Sequence, residues 1–163
     1  MLHLFSTRKA KSIAASCLLV ITGFTILPAA AADCDRACMT DLITQYAEAL
    51  VAHDPSRLPL ADKVKFTDNG KAAELGEGLW QTVTSIHGFR QDYLDLHQQV
   101  AASHVVFLEG ENQILLSVLL HIEDQKVSGI ETLIQRITPT SRFQPRELGK
   151  PVRGMNDAIP AGK

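Results

Sequence analysis

The stretch that most limits what this chain can fold into is residues 114–122, Ile-Leu-Leu-Ser-Val-Leu-Leu-His-Ile, a nearly unbroken apolar run of strand length. A short apolar run bounded by turn signals reads as a strand buried inside a sheet. It sits within the third of four strand-like segments, 89–96, 100–108, 113–123 and 126–137, which are separated by turn-forming groups such as Glu109-Gly110-Glu111-Asn112. A segment this apolar belongs at the centre of its sheet, because an edge would leave it open to water and to stray pairing. The turn Glu123-Asp124-Gln125 is short enough to join the last two segments as an antiparallel hairpin.

Upstream the period changes. Over residues 35–53, Ala37, Leu42, Tyr46, Ala49 and Leu50 recur at three- and four-residue steps, the spacing of an amphipathic helix, and Asp54-Pro55 stops it. A short turn or helix over 55–61 follows. Residues 63–68, Lys-Val-Lys-Phe-Thr-Asp, alternate as in a half-buried strand closed by Asn69-Gly70. Residues 70–78 are rich in glycine and acid and read as a loop, and 79–86 fit either a short helix or the beginning of a strand. Helix first and strands afterwards is an α+β order.

The N-terminus has a different character. Arg8, Lys9 and Lys11 precede the apolar residues 13–27, and Pro28 then leads into alanines ending at Ala32. Basic, apolar and small, in that order, is the layout of a secretory signal peptide cleaved after Ala32. The apolar run, about 15 residues, is short of the roughly 20 that a spanning helix needs. The expected organisation is therefore a signal peptide at 1–32, an α+β domain at 33–138, and a Pro-rich, basic tail at 139–163. The mature protein would be periplasmic or secreted. Residues 1–32 hold three of the 16 basic residues and none of the 18 acidic ones, so the remainder carries 13 basic against 18 acidic, a net charge of −5. That balance disfavours nucleic acid, whose phosphates need a basic footprint, and anionic membrane surfaces alike. The remaining 131 of the 163 residues suit one domain with one core.

Cys34 and Cys38 stand four residues apart at the start of the helix. In an oxidising compartment such a pair is a disulfide candidate. Two fully helical positions would hold the Cα atoms roughly 6 Å apart, at the long end of the bridging range, so a slightly unwound helix start would help. Two free thiols are a second possibility; a redox or metal role is a third, disfavoured because the spacing is not that of a Cys-x-x-Cys motif and no Cys/His partner set sits nearby.

Four phrases carry a resemblance to a known family: residues 46–60 (Tyr-Ala-Glu-Ala-Leu-Val-Ala-His-Asp-Pro-Ser-Arg-Leu-Pro-Leu), 64–70 (Val-Lys-Phe-Thr-Asp-Asn-Gly), 76–80 (Gly-Glu-Gly-Leu-Trp) and 126–133 (Lys-Val-Ser-Gly-Ile-Glu-Thr-Leu). With the order of long helix, helical turn, strand, variable segment and long antiparallel strands, the chain resembles the nuclear-transport-factor-2-like superfamily, which includes SnoaL-like polyketide cyclases and ketosteroid isomerases. The likeness is to its exported branch. It implies N-terminal helices packed on a curved, mainly antiparallel sheet that forms a cone with an apolar pocket. It also implies acid/base chemistry without metal or organic cofactor on a small hydrophobic molecule, and commonly a homodimer formed through the sheet. None of the four phrases is a catalytic signature, and a fold of this kind hosts many functions.

The candidate residues follow from the strand periods. His121 shares a face with Leu115, Ser117 and Leu119; it is a base or hydrogen-bond donor if that face lines the pocket, and otherwise a strand-end histidine meeting solvent. His104 points the same way as Val106. Asp95 alternates with Tyr93, and a carboxyl buried beside an aromatic ring can serve as a base. Glu131 shares a face with Leu133 and Gln135, and either lines the pocket or bonds to the helix as a structural ion. Asp95, His104, His121 and Glu131 are thus the candidate catalytic residues. Tyr46, Asn69, Trp80 and Tyr93 are candidates for positioning a substrate, each against a plainer role in the core or in a turn. No histidine pair has a metal-ligand spacing, so no metal is expected.

Overall fold

The computed structural model describes residues 32–142 and Gly154. Apart from Ala32, the proposed signal segment lies outside the described residues, as does most of the tail beyond Arg142.

Helix α1 (Arg36–Val51) starts at the N-cap Asp35, whose carboxylate accepts from the Cys38 amide and so satisfies one of the donors a helix start leaves open. Ala52 caps its C-terminus, and His53 follows in the left-handed region at φ 57°. A 3-10 turn (Pro55–Arg57) leads to β1 (Leu60–Asp68) and the two-residue β2 (Lys71–Ala72). The segment that fitted either a helix or a strand start contains both: α2 (Leu79–Thr82), then β3 beginning at Ser85 (Ser85–Asp95). Strands β4 (Val100–Glu109), β5 (Asn112–Glu123) and β6 (Lys126–Ile137) complete the chain.

The six strands form one sheet in the order β2-β1-β6-β5-β4-β3, which places the apolar β5 in the interior. Every neighbouring pair is antiparallel except β1 and β6, which run parallel. The β5–β6 hairpin turns on Asp124 and Gln125, both at positive φ (53° and 61°). That backbone matches the natural twist of paired strands. β1 begins at Leu60, earlier than its own alternation indicates, because Leu60 pairs with Val127 of the distant β6.

Two faces of the sheet have different fates. On one, Ile114, Leu116, Val118, Leu120 and Ile122 of β5, Val105 and Phe107 of β4, and Ile130 of β6 pack against Met39, Ile43, Tyr46 and Leu50 of α1. On the other lie Leu115, Ser117, Leu119 and His121, all only half-buried. The helix covers the face that offers five large apolar side chains from β5 and no polar one, because that face gains most by leaving water.

Cys34 and Cys38 are joined as a disulfide with Cα atoms 5.3 Å apart. Cys34 precedes the helix, so only Cys38 is held in helical geometry. The segment is also held from the sheet. The Gln99 side chain accepts from the Cys34 amide (2.7 Å) and donates to its carbonyl (3.1 Å).

Candidate functional site

A hollow of about 270 Å³ opens on the sheet face away from α1. Ala102, Leu119, Leu133 and Tyr93 give it apolar surface; His104, Ser117, Glu131 and Thr67 bring polar groups to it. The β4–β5 register sets His104 opposite Ser117 and Ala102 opposite Leu119, and the β5–β6 register sets Leu119 opposite Glu131 and Ser117 opposite Leu133. Two polar pairs result. His104 Nδ1 lies 2.8 Å from Ser117 Oγ, and the ring of Tyr93 meets the imidazole edge-on at a centroid distance of 5.5 Å. One strand row further, His121 Nε2 bonds Glu131 Oε1 at 2.8 Å.

The shared faces read from the sequence hold: His121 lies with Leu115, Ser117 and Leu119, and Glu131 with Leu133 and Gln135. That face is the outer one, however, so these residues do not look into the space between sheet and helix. Of the four candidate bases, His104 and Glu131 line the hollow, while His121 stands beside it and reaches it through Glu131. Asp95 is elsewhere. Its Oδ1 accepts from the amides of His97 and Gln98 and shapes the β3–β4 turn.

The candidate positioning residues divide as well. Tyr93 lines the hollow. Asn69, at φ 49°, works in the backbone: its Oδ1 accepts from the Ile134 amide and its Nδ2 donates to Asp68. Tyr46 and Trp80 fill the space under the sheet, edge to face with ring centroids 5.5 Å apart. Burial, and after it the nearby Asp68 carboxylate, push the Tyr46 hydroxyl far above its usual pKa, so it stays protonated. Trp80 Nε1 is buried with no hydrogen-bond partner, whereas the Trp80 carbonyl accepts from His53 Nδ1. A carbonyl cannot donate, so the proton of His53 is fixed on Nδ1 in that bond.

Sequence reasoning missed two features. One is Ser117, whose partner His104 is visible only once the β4–β5 register is known. The other is a polar clasp on the helix side. Arg90 binds Asp92 through both carboxylate oxygens, donates to Thr44 Oγ1 and to the Thr40 carbonyl of α1, and Ser103 Oγ donates to Asp92. Arg90 and Asp92 alternate within β3, a signal that they share a face. No group of three or more His, Cys, Asp or Glu side chains that could hold a metal ion occurs among the described residues.

The described part of the chain is thus an α+β domain with an open six-stranded mixed sheet, and its element order is the one the nuclear-transport-factor-2-like resemblance implies. Among solved structures it is similar to that of a proposed ketosteroid isomerase from Kribbella flavida DSM 17836, at 17% identity over 77% of this chain and 93% of that one, with a TM-score of 0.45. No protein-family model and no curated protein matches the chain. Among the described residues no helix is long and apolar enough to cross a membrane.

Proposed function

We propose that this is an exported domain that binds a small, mainly apolar molecule in the hollow on the outer face of its sheet. The observation that carries the reading is the lining: Tyr93, Leu119 and Leu133 supply apolar contact, while His104, Ser117 and Glu131 supply a few convergent polar groups. That is the make-up of a small-molecule site. Export is supported by the basic-apolar-small order of residues 1–32 and by the disulfide at Cys34 and Cys38, a bond that persists in oxidising compartments.

The test is a screen of neutral one- and two-ring compounds against the purified, isotope-labelled chain by NMR. Perturbed resonances at Tyr93, His104, Leu119 and Leu133 are the expected result. Perturbations confined to other surfaces, or none at millimolar compound, would sink the reading.

Acid/base chemistry in the same hollow (isomerase, dehydratase or lyase work on a carbonyl compound) is a second reading, favoured by His104. With Nδ1 held by Ser117 and the ring held by Tyr93, Nε2 is the nitrogen left to meet a guest. With the ring proton on Nδ1 and donated to Ser117 Oγ, Nε2 would take a proton next to the carbonyl, and the hydroxyl of Tyr93, which lines the same hollow, would be a donor for the oxyanion. Deuterium exchange at that carbon, lost in His104→Phe, would favour catalysis; tight binding without exchange leaves a carrier.

A second copy of the chain is a third occupant to weigh, because Leu133 and Tyr93 are 62% and 48% exposed on this face. Sedimentation decides it. A dimer broken by Leu133→Lys would put a partner over the hollow; a monomer leaves it open to ligand.

A further inference from the structure

One cross-strand row runs through the hollow. The registers set Tyr93 opposite Ala102, Ala102 opposite Leu119, Leu119 opposite Glu131, and Glu131 opposite Thr67. All five side chains line the hollow, and its lining includes no lysine and no arginine. With histidines neutral, Glu131 is the one lining residue that carries a formal charge.

The strand registers explain why no cation offsets it. Arg90 is opposite Val105 and Arg136 is opposite Ile114, so both fall on the helix side, where they bind Asp92 and Glu109. Lys65 is opposite Gly129, on the outer face, but it is exposed and stands outside the lining. The ion pair that Glu131 makes among the described residues is with His121.

Hydrogen bonding points the same way. A carboxylate cannot donate, so His121 Nε2 donates to Glu131 Oε1 and holds the group in place. The lone pairs left on the carboxylate can only accept. The neutral His104–Ser117 pair can give or take a hydrogen bond at a guest, so it does not select for charge. An anionic guest would meet Glu131 with no cation to balance it. A cationic guest meets a fixed carboxylate, and residues 33–163 carry 13 basic against 18 acidic side chains, a balance that draws cations to the surface.

We infer that this hollow selects an organic cation: a small apolar molecule bearing one protonated amine. Its hydrocarbon part rests on Ala102, Leu119 and Leu133, and its ammonium donates to Glu131. The inference rests on the reading of the hollow as a small-molecule site and adds the class of molecule.

The experiment titrates 2-phenylethylamine, 2-phenylethanol and phenylacetate into the purified labelled chain and reads the dissociation constants from NMR shifts. It is run at about pH 8, where an alkyl amine is charged and a free imidazole is not. The amine should bind about fivefold more tightly than the alcohol, and phenylacetate should bind most weakly. Added salt should narrow the gap. Glu131→Gln should bring the amine down to the alcohol's affinity, with a backbone spectrum showing that the variant keeps the fold. If no compound perturbs the hollow, the small-molecule reading fails and this inference goes with it. If the three bind there equally, if phenylacetate binds best, or if the amine keeps its advantage in Glu131→Gln, the hollow is a ligand site and the cationic class is overturned.

Discussion

The imidazole of His121 lies across Gly129, its register partner on β6: a Cβ on that glycine would stand 3.0 Å from His121 Cδ2 and 3.4 Å from its Cβ and Cγ. The bare backbone is what lets the ring lie over β6, from where Nε2 reaches Glu131 two residues along.

Gly129→Ala should therefore lift the ring and break its bond to Glu131. The side chains of His121 and Glu131 are 44% and 59% exposed, so the lost pair itself is worth only about 0.5 kcal/mol. The sharper readout is the His121 ring: its Nε2 chemical shift should move toward that of a free imidazole. An unchanged shift would mean that the glycine is not what permits the contact.

The helix-side clasp makes the opposite forecast. Arg90 and Asp92 have side-chain exposures of 29% and 19%, and the pair ties β3 to α1 through Thr44 and the Thr40 carbonyl. Arg90→Ala leaves a half-buried carboxylate without its cation and should cost about 2–3 kcal/mol. Glu131→Ala, on the exposed face, should cost less than about 1 kcal/mol. Urea unfolding of the two variants checks the order, and equal losses would contradict it.

These contrasts mark how far the sequence could be read. Strands β4, β5 and β6 were legible because period-two alternation and turn residues act locally, and the sharing of faces by Ser117, Leu119 and His121 followed from the same period. Alternation defines two faces of a sheet without saying which one a helix will cover. The signal was present nonetheless: Ile114, Leu116, Val118, Leu120 and Ile122 form the all-apolar face, and that is the face against α1. Whether the histidine-bearing face lines the space beneath the sheet stays open in the sequence; the registers put it on the outer face, while Tyr46 and Trp80 are buried against each other on the helix side. The pairing of His104 with Ser117 and of Leu60 with Val127 depends on long-range register, which no local pattern carries.

Trp80 offers a test of the packing beneath the sheet. The residue is 1% exposed and its Nε1 has no partner. An unsatisfied buried donor costs about 1–3 kcal/mol. Trp80→Phe removes that penalty along with some packing, so it should fall within about 1.5 kcal/mol of the parent, whereas Trp80→Ala should lose about 3–5 kcal/mol. Equilibrium unfolding of both variants distinguishes this from a tryptophan held by a hydrogen bond, for which the phenylalanine change would be nearly as costly.

The disulfide encloses a short loop, so its effect on the unfolded chain is modest. Reduction, or Cys38→Ser, should lower stability by about 2 kcal/mol on the chain-entropy account. The Gln99 bonds to the Cys34 backbone do not depend on the sulfurs. Melting with and without reductant should therefore show a lower midpoint and a fold that survives; outright unfolding on reduction would contradict this.

The pH response should centre on the upper rim of the sheet. Arg136 of β6 binds both oxygens of Glu109 of β4, and Thr82 of α2 donates to the same carboxylate. The Arg136 hydrogen bond leads in holding the Glu109 pKa below its usual value, with Thr82 adding to it and partial burial opposing. A carboxyl whose folded pKa lies below its unfolded value stabilises the protein fully above the unfolded pKa of about 4.3, and that stabilisation fades as pH falls through the folded value. Arg136 is 44% exposed, so solvent screening limits the effect to about 1 kcal/mol at neutral pH. Glu109→Gln should thus be less stable than the parent at pH 7 by about that amount. The two unfolding curves should converge as the pH is lowered from about 5 toward 3. A gap that stayed constant over that range would show that the charge on Glu109 is not what ties α2, β4 and β6 together.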